Sequence, residues 1–222
     1  MRINKFIALA SGLSRRAADT AIQTGRVQVN SQPPQAGQDI TDTDTVTLDG
    51  APLQAPAATQ TILFNKPRGF VVSRDGQGSR TIYDVLPPEY GQLKPVGRLD
   101  KDSSGLLLLT NDGELAQELT HPSNRKLKIY EVTLVQSLQP LHRQMISEFG
   151  VQLTDGPSKL RLERMHDGND RAWRVTMHEG RNRQIRRTFV SLGYQVATLH
   201  RTHFGPYSLD GLRSGGIRQI HP

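Results

Sequence analysis

Arg98 and Asp100 stand two residues apart within residues 95–113, PVGRLDKDSSGLLLLTNDG, and Asp102 adds a second carboxylate. In an extended segment, side chains two apart point the same way, so Asp100 and Asp102 could act as a pair. A carboxylate beside so apolar a run needs a cationic or hydrogen-bonding partner. Asp100 is therefore either a satisfied structural acid or a reactive one held by a cation. The held form suits nucleophilic or general-base work. A metal-binding reading of the pair finds little support. No DxDxDG loop is completed, HExxH is absent, and His200 and His203 are the nearest of seven scattered histidines. We expect no metal. With no P-loop and no GxGxxG, we expect no cofactor either, and the absence of GxSxG weakens a serine-hydrolase reading. Without cysteine, thiolate chemistry, disulfides and cysteine-ligated zinc are excluded.

Local elements must position these residues. Leu106 to Leu109 form an apolar run with breakers on both sides, too short for a typical helix, which predicts a fully buried strand, with a buried helical turn as the alternative because Leu is not β-branched. Residues 61–64 and 70–72 predict strands around the turn Asn65-Lys66-Pro67-Arg68-Gly69. Residues 81–86 predict a short helix, and 114–119 another, capped from Asn111-Asp112-Gly113. Residues 126–135 alternate as a strand carrying Tyr130, and 172–177 form a further strand. Helical spacing marks 138–149 and 179–194, the latter with Ile185, Phe189 and Leu192 on its core side. Upstream, residues 2–10 predict a helix broken by Gly12. A second helix capped by Ser14 follows and ends at Gly25, and then come short strands. Residues 50–60, GAPLQAPAATQ, read as a linker.

The chain has 222 residues, 35% hydrophobic and 22% charged, with a formal net charge of +7. That supports a modest core and points to a polyanionic partner. The basic residues gather at both ends. Arg2, Lys5, Arg15, Arg16 and Arg26 oppose only Asp19 in residues 1–32. Arg181, Arg183, Arg186, Arg187, Arg201, Arg213 and Arg218 oppose Glu179 and Asp210 in residues 178–222. No apolar run could cross a bilayer, so a soluble cytoplasmic monomer without membrane contact is expected.

The motifs carry a resemblance. GRLDKDSSGLLLLTNDG, with NKPRG, KIYEVTL, EGRNRQIRRTFVSLGY and ATLHRTHFGPYSLDGL, resembles the RsuA/RluB-type pseudouridine synthases, which isomerise uridine in ribosomal RNA. The resemblance covers nearly the whole chain. It implies that Asp100 is the catalytic aspartate, that Tyr130 is the active-site tyrosine, and that Arg186 pairs with the catalytic carboxylate. It also implies that Leu199 packs beside the target base and that Arg98 lies near the space the base vacates. Lys66, Arg181, Arg183, Arg187 and Arg201 are further candidate RNA contacts. RINKFIA and SRRAADTAIQTGRVQVN resemble the small RNA-binding module named after ribosomal protein S4, which implies phosphate contacts for Arg2, Lys5, Arg15, Arg16 and Arg26. Where that module usually has an acidic residue after Ser-Arg-Arg, this chain has Ala17, removing a local ion pair.

The fold class that follows is α+β: an S4-type RNA-binding domain at 1–49, a linker at 50–60, and a pseudouridine synthase catalytic domain at 61–222. The catalytic domain would have a mixed, mostly antiparallel sheet with a central cleft. The reaction breaks N1–C1′, turns the uracil and joins C5 to C1′, with no redox change or group donor. Whether Asp100 attacks the sugar, attacks the base or takes a sugar proton stays open. The partner implied is ribosomal RNA or a ribosome-assembly intermediate, more in the pattern of the large-subunit (23S) than the small-subunit (16S) branch. A noncatalytic RNA-binding assembly factor and a metal nuclease are the alternatives.

Overall fold

The four leucines at 106–109 are each 0% exposed because their strand is covered on both faces. That strand lies at the middle of the second of two units, Met1–Thr59 and Gln60–Pro222. The computed structural model describes residues 1–35, 37–54 and 59–221.

The first unit comprises α1 (Ile3–Ser11), α2 (Arg15–Gln23), β1 (Val27–Val29), β2 (Val46–Leu48) and β3 (Ala51–Pro52). Gly12 stops α1 in the left-handed conformation, at φ 78°. The Ser14 hydroxyl caps α2 by accepting from the Ala17 N–H at 3.1 Å. Ile3, Ile7, Ala18, Ala21, Val27, Val29, Ile40 and Val46 form its core. The expected linker begins later than residue 50. Asp49 and Gly50, both at positive φ, turn the chain so that Ala51–Pro52 pairs with β2. The remaining linker reading includes residues 55–58, which lie outside the described residues.

The second unit contains β4 (Thr61–Lys66), β5 (Lys94–Val96), β6 (Ser104–Thr110), α3 (Gly113–Thr120), β7 (Lys128–Leu134), α4 (Pro140–Gln144), β8 (Val151–Leu153), β9 (Gly156–Ser158), β10 (Arg161–Arg164), β11 (Ala172–Met177), α5 (Gln184–Val190), β12 (Val196–Phe204), β13 (Tyr207–Ser208) and β14 (Ile217–Ile220). Among the described residues, the main sheet runs β10-β11-β7-β12-β6-β4-β14, with β5 on β6 and β13 on β12. Its pairings are antiparallel except the joint between β12 and β6, which is parallel. The sheet is thus mixed and mostly antiparallel, within an α+β architecture.

Two layers of core explain the leucine run. Leu107 and Leu109 pack with Ile62, Phe64, Val132 and Trp173 on one face. Leu106 and Leu108 pack with Leu63, Val96, Phe204 and Leu209 on the other. Each such leucine contributes about 2 kcal/mol of hydrophobic stabilisation.

Several expected elements differ: the strand expected over 61–64 runs on through Asn65 and Lys66, and the short helix expected over 81–86 is a single 3-10 turn, Ile82–Asp84. Residues 70–72 form no strand; Val71 makes a single bridge, to Thr81. The turn before them is tied instead to the loop at Lys101, whose carbonyl accepts from the Gly69 N–H at 2.7 Å. The helix expected over 138–149 is a five-residue α4 running into a π-helical turn, Met145–Phe149. The helix expected over 179–194 is only α5, because Arg183 lies in the left-handed region at φ 46° and bends the chain before it. No helix among the described residues is long and apolar enough to cross a membrane.

Candidate active site

β6 is entered through a tight polar loop, and Lys66 holds that loop from below. Its Nζ donates to the carbonyls of Pro67, Asp100 and Ser103, at 3.0, 3.2 and 2.8 Å. The Ser103 N–H closes the turn on the Asp100 carbonyl at 3.1 Å. Arg186 holds the loop from the other side, donating to the Asp102 carbonyl at 3.1 Å and to Val196 O at 3.1 Å. Backbone position at Asp100 is therefore set by buried cations, while its carboxylate, 28% exposed, looks outward.

The carboxylate meets Arg183, whose Nη1 is 3.5 Å from Asp100 Oδ2. The same guanidinium is bidentate on Asp102, at 3.1 and 3.3 Å. Arg186 also pairs with Asp102, at 3.5 Å, not with Asp100. The expected Arg186–Asp100 pair is thus replaced: Arg183 is the cation on Asp100, and Arg186 is a buried brace. Burial opposes ionisation of Asp102, but the hydrogen bonds from Arg183 and the charges of Arg186 and Arg183 outweigh it and hold its carboxyl below the usual range.

β7 and β12 supply the facing wall. Their register sets Tyr130 opposite Arg201 and Val132 opposite Leu199. Together with the loop and the segment before α5 they enclose a cavity of about 430 Å³, lined by Arg98, Asp100, Tyr130, Arg183, Leu199 and Arg201 among others. Tyr130 and Leu199 are 7% and 6% exposed, so they are fixed walls of the cavity.

Other candidates fall outside this group or play another part in it. Lys66, expected to contact RNA, is fully buried and spent on three carbonyls, which removes it from any RNA-facing role. Burial lowers its ammonium to about 8, against the opposing charges of Asp100 and Asp102. The folded state then holds fewer protons than the unfolded state between about 8 and the ordinary lysine value. The contribution of Lys66 to stability accordingly rises as pH rises through that window, by up to about 3 kcal/mol. The stability difference between wild type and Lys66→Met, followed by chemical denaturation across pH, should grow in the alkaline range; a flat difference would contradict the burial of this charge. Arg187 is bidentate on Asp155, at 3.0 and 2.6 Å. Arg181 lines the cavity but also donates to Asp155, Gly156 and Pro157, tying it to the β8–β9 hairpin. Arg2, Lys5, Arg15, Arg16 and Arg26 lie on the first unit. There Arg26 is paired with Asp49 at 2.5 Å, and Arg16 is exposed. Among the described residues, no cluster of three or more metal-binding side chains occurs.

Lys126, Lys128, His121 and His178 line the cavity and were not singled out from the sequence. The signal was present for two of them, since Lys126, Lys128 and Tyr130 alternate into the strand β7.

Asp100 beside Arg183, in a cation-rich cavity walled by Tyr130 and Leu199, is an arrangement suited to a polyanionic substrate. Residues 60–191 match the family model described as RNA pseudouridylate synthase. The chain is 35% identical to ribosomal large subunit pseudouridine synthase B of Bacillus subtilis, over 100% of this chain and 92% of that protein. It is 34% identical to ribosomal small subunit pseudouridine synthase A of Pasteurella multocida, over 99% and 96% respectively. A further B-type relative, from Xylella fastidiosa, is 37% identical over 92% of this chain, which spans 45% of that longer protein. A solved structure described as a pseudouridylate synthase matches with a TM-score of 0.69 and 32% identity, covering 100% of this chain and 96% of that one. The chain belongs to the RNA pseudouridylate synthase family, and its activity is the isomerisation of uridine to pseudouridine.

Proposed function

We propose that this enzyme acts on large-subunit ribosomal RNA in the cytoplasm, as a monomer, with Asp100 as the reacting carboxylate. The observation that carries the assignment of Asp100 is its place in the cavity: its carboxylate faces Arg183 at 3.5 Å, while Tyr130 and Leu199 line the same space. A uridine turned out of the RNA would enter between these walls, since its glycosidic bond is otherwise inaccessible. Arg183 is placed to hold the Asp100 carboxylate in position for attack or proton removal. Tyr130 stacks on the base and Leu199 packs against it. Arg98, exposed at the cavity mouth, lies toward the RNA the base has left.

The names of the B-type relatives support the large-subunit choice, and the A-type relative keeps the small subunit as the second reading. Incubating the protein with unmodified transcripts of each ribosomal RNA, followed by chemical mapping of pseudouridine, should place the product in the large-subunit RNA. Product confined to the small-subunit transcript would overturn the choice.

The first unit we read as an S4-type RNA-binding domain, with Arg15 and Arg16 at the start of α2 presented to phosphates. Phosphate contacts add affinity through counterion release, so each one lost lowers the salt slope by about 0.7 to 0.9. Arg15→Ala with Arg16→Ala should weaken RNA binding and flatten its salt dependence while the rate at saturating RNA holds. Unchanged affinity and slope would remove this unit's anchoring role.

A further inference from the structure

Among the described residues, two cations in the cavity wall, Lys128 and Arg201, form no direct ion pair. Arg201 is 2% exposed, yet among the described residues its guanidinium forms no ion pair. Its Nε donates to Leu106 O at 2.8 Å, and its Nη2 is buried with no hydrogen-bond partner. The β7–β12 register brings Lys128 to the same wall, since Phe204 lies opposite Lys128 and Arg201 opposite Tyr130. Both cations rest on one aromatic ring: Arg201 Cζ is 4.8 Å and Lys128 Nζ 5.3 Å from the Phe204 centroid. Lys128 is half-buried, and among the described residues its Nζ makes one hydrogen bond, a long one of 3.3 Å to Lys126 O. The nearby carboxylate of Glu179 is drawn to Arg181 and to Gln184.

A buried guanidinium with an unused donor is costly unless an acceptor completes it. Burial and the charge of Arg201 lower the lysine ammonium, with Glu179 opposing, as expected for two cations held close together. Uracil carbonyls are neutral and would leave that charge uncompensated. We propose that Lys128 and Arg201 form a subsite for a phosphate group of the nucleotide that enters the cavity, beside the uridine-binding wall of Tyr130 and Leu199. This rests on the reading of the cavity as the uridine site and adds what fixes the nucleotide's backbone there. The phosphate anchors the strand at the floor of the cleft, so that extrusion of the base brings C1′ to a fixed place relative to Asp100.

The test compares uridine, uridine 5′-monophosphate and uridine 3′-monophosphate binding to the full chain by NMR titration. One of the monophosphates should bind wild type about tenfold or more tightly than uridine, the worth of one charge-assisted contact. In Lys128→Gln and in Arg201→Gln that advantage should fall to within about twofold, with uridine affinity unchanged. Lys128 is half-buried, so Lys128→Gln keeps the test decisive even if Arg201→Gln fails to fold. Equal binding of all three by wild type would overturn the proposal, as would a phosphate advantage that survives Lys128→Gln or a loss of uridine binding itself in that variant. Pseudouridine formation by wild type on ribosomal RNA separates the two readings. Product formed without a phosphate advantage sinks only the subsite, whereas no product on any RNA sinks the synthase assignment beneath it.

Discussion

Gly105→Ala should unfold or severely destabilise the catalytic unit, by about 4 kcal/mol or more. A Cβ at this position would lie 2.2 Å from Arg201 O, 2.5 Å from Arg201 N and 2.8 Å from Arg201 C. These are backbone atoms of β12 and cannot swing aside. Gly105 also sits at φ 107°, a conformation L side chains rarely adopt. The parallel joint between β6 and β12 has only two register pairs, His200 with Ser104 and Arg201 with Gly105, so the clash falls where the two parts of the sheet meet. Lys66, on β4, is the register partner of Gly105, so the brace under the Asp100 loop would move as well. Gly113→Ala is the control: nothing lies within 4 Å of its Cβ position, and it begins α3. It should leave the midpoint of thermal or chemical unfolding unchanged or slightly raised. Equal stability of the two variants would contradict the packing of β12 on β6.

Asp100→Asn should abolish turnover while leaving RNA binding intact. The amide keeps the side chain's size, and the backbone that positions it is held by Lys66 and Ser103, not by the carboxylate. What disappears is the charge facing Arg183 and the capacity to attack or take a proton. Loss of a reacting group of this kind costs about a thousandfold or more in rate. Since residue 100 is already bordered by cations, removing its charge should leave affinity for RNA the same or slightly higher.

The legibility of this site in the sequence divides by how local the signal is. Leu106–Leu109 read as a buried strand because length and flanking breakers are local, and the structure places it between two core layers. Ser14 and the stretch Asn111-Asp112-Gly113 read as helix caps for the same reason, and in the structure Ser14 and Asp112 accept from the first turn of their helices. The cation on Asp100 did not read correctly. Arg183 and Arg186 are one helical turn apart, and both fit the same basic stretch. Only the left-handed backbone at Arg183, which starts α5 one residue later, turns its guanidinium onto the carboxylates. Lys66 stands in a polar turn sequence, where a lysine is ordinarily solvated. Its burial depends on carbonyls from residue 67 and from a loop more than thirty positions away. Lys128 and Arg201 meet only through strand register, which no local pattern specifies. The limit of the 179–194 helix was missed because its apolar spacing continues through Leu192, while Arg181 is held as loop by the β8–β9 hairpin.

Isomerisation replaces the C5–H bond of one uridine by a C5–C1′ bond, so it must release that hydrogen. Ribosomal RNA labelled with tritium at uridine C5, incubated with the purified protein without added metal, therefore reports the reaction directly. Wild type should release tritium until the target uridine is consumed. Asp100→Asn should release none, although that variant binds the same RNA. Release by Asp100→Asn at a rate near that of wild type, or none by wild type, would contradict Asp100-dependent isomerisation.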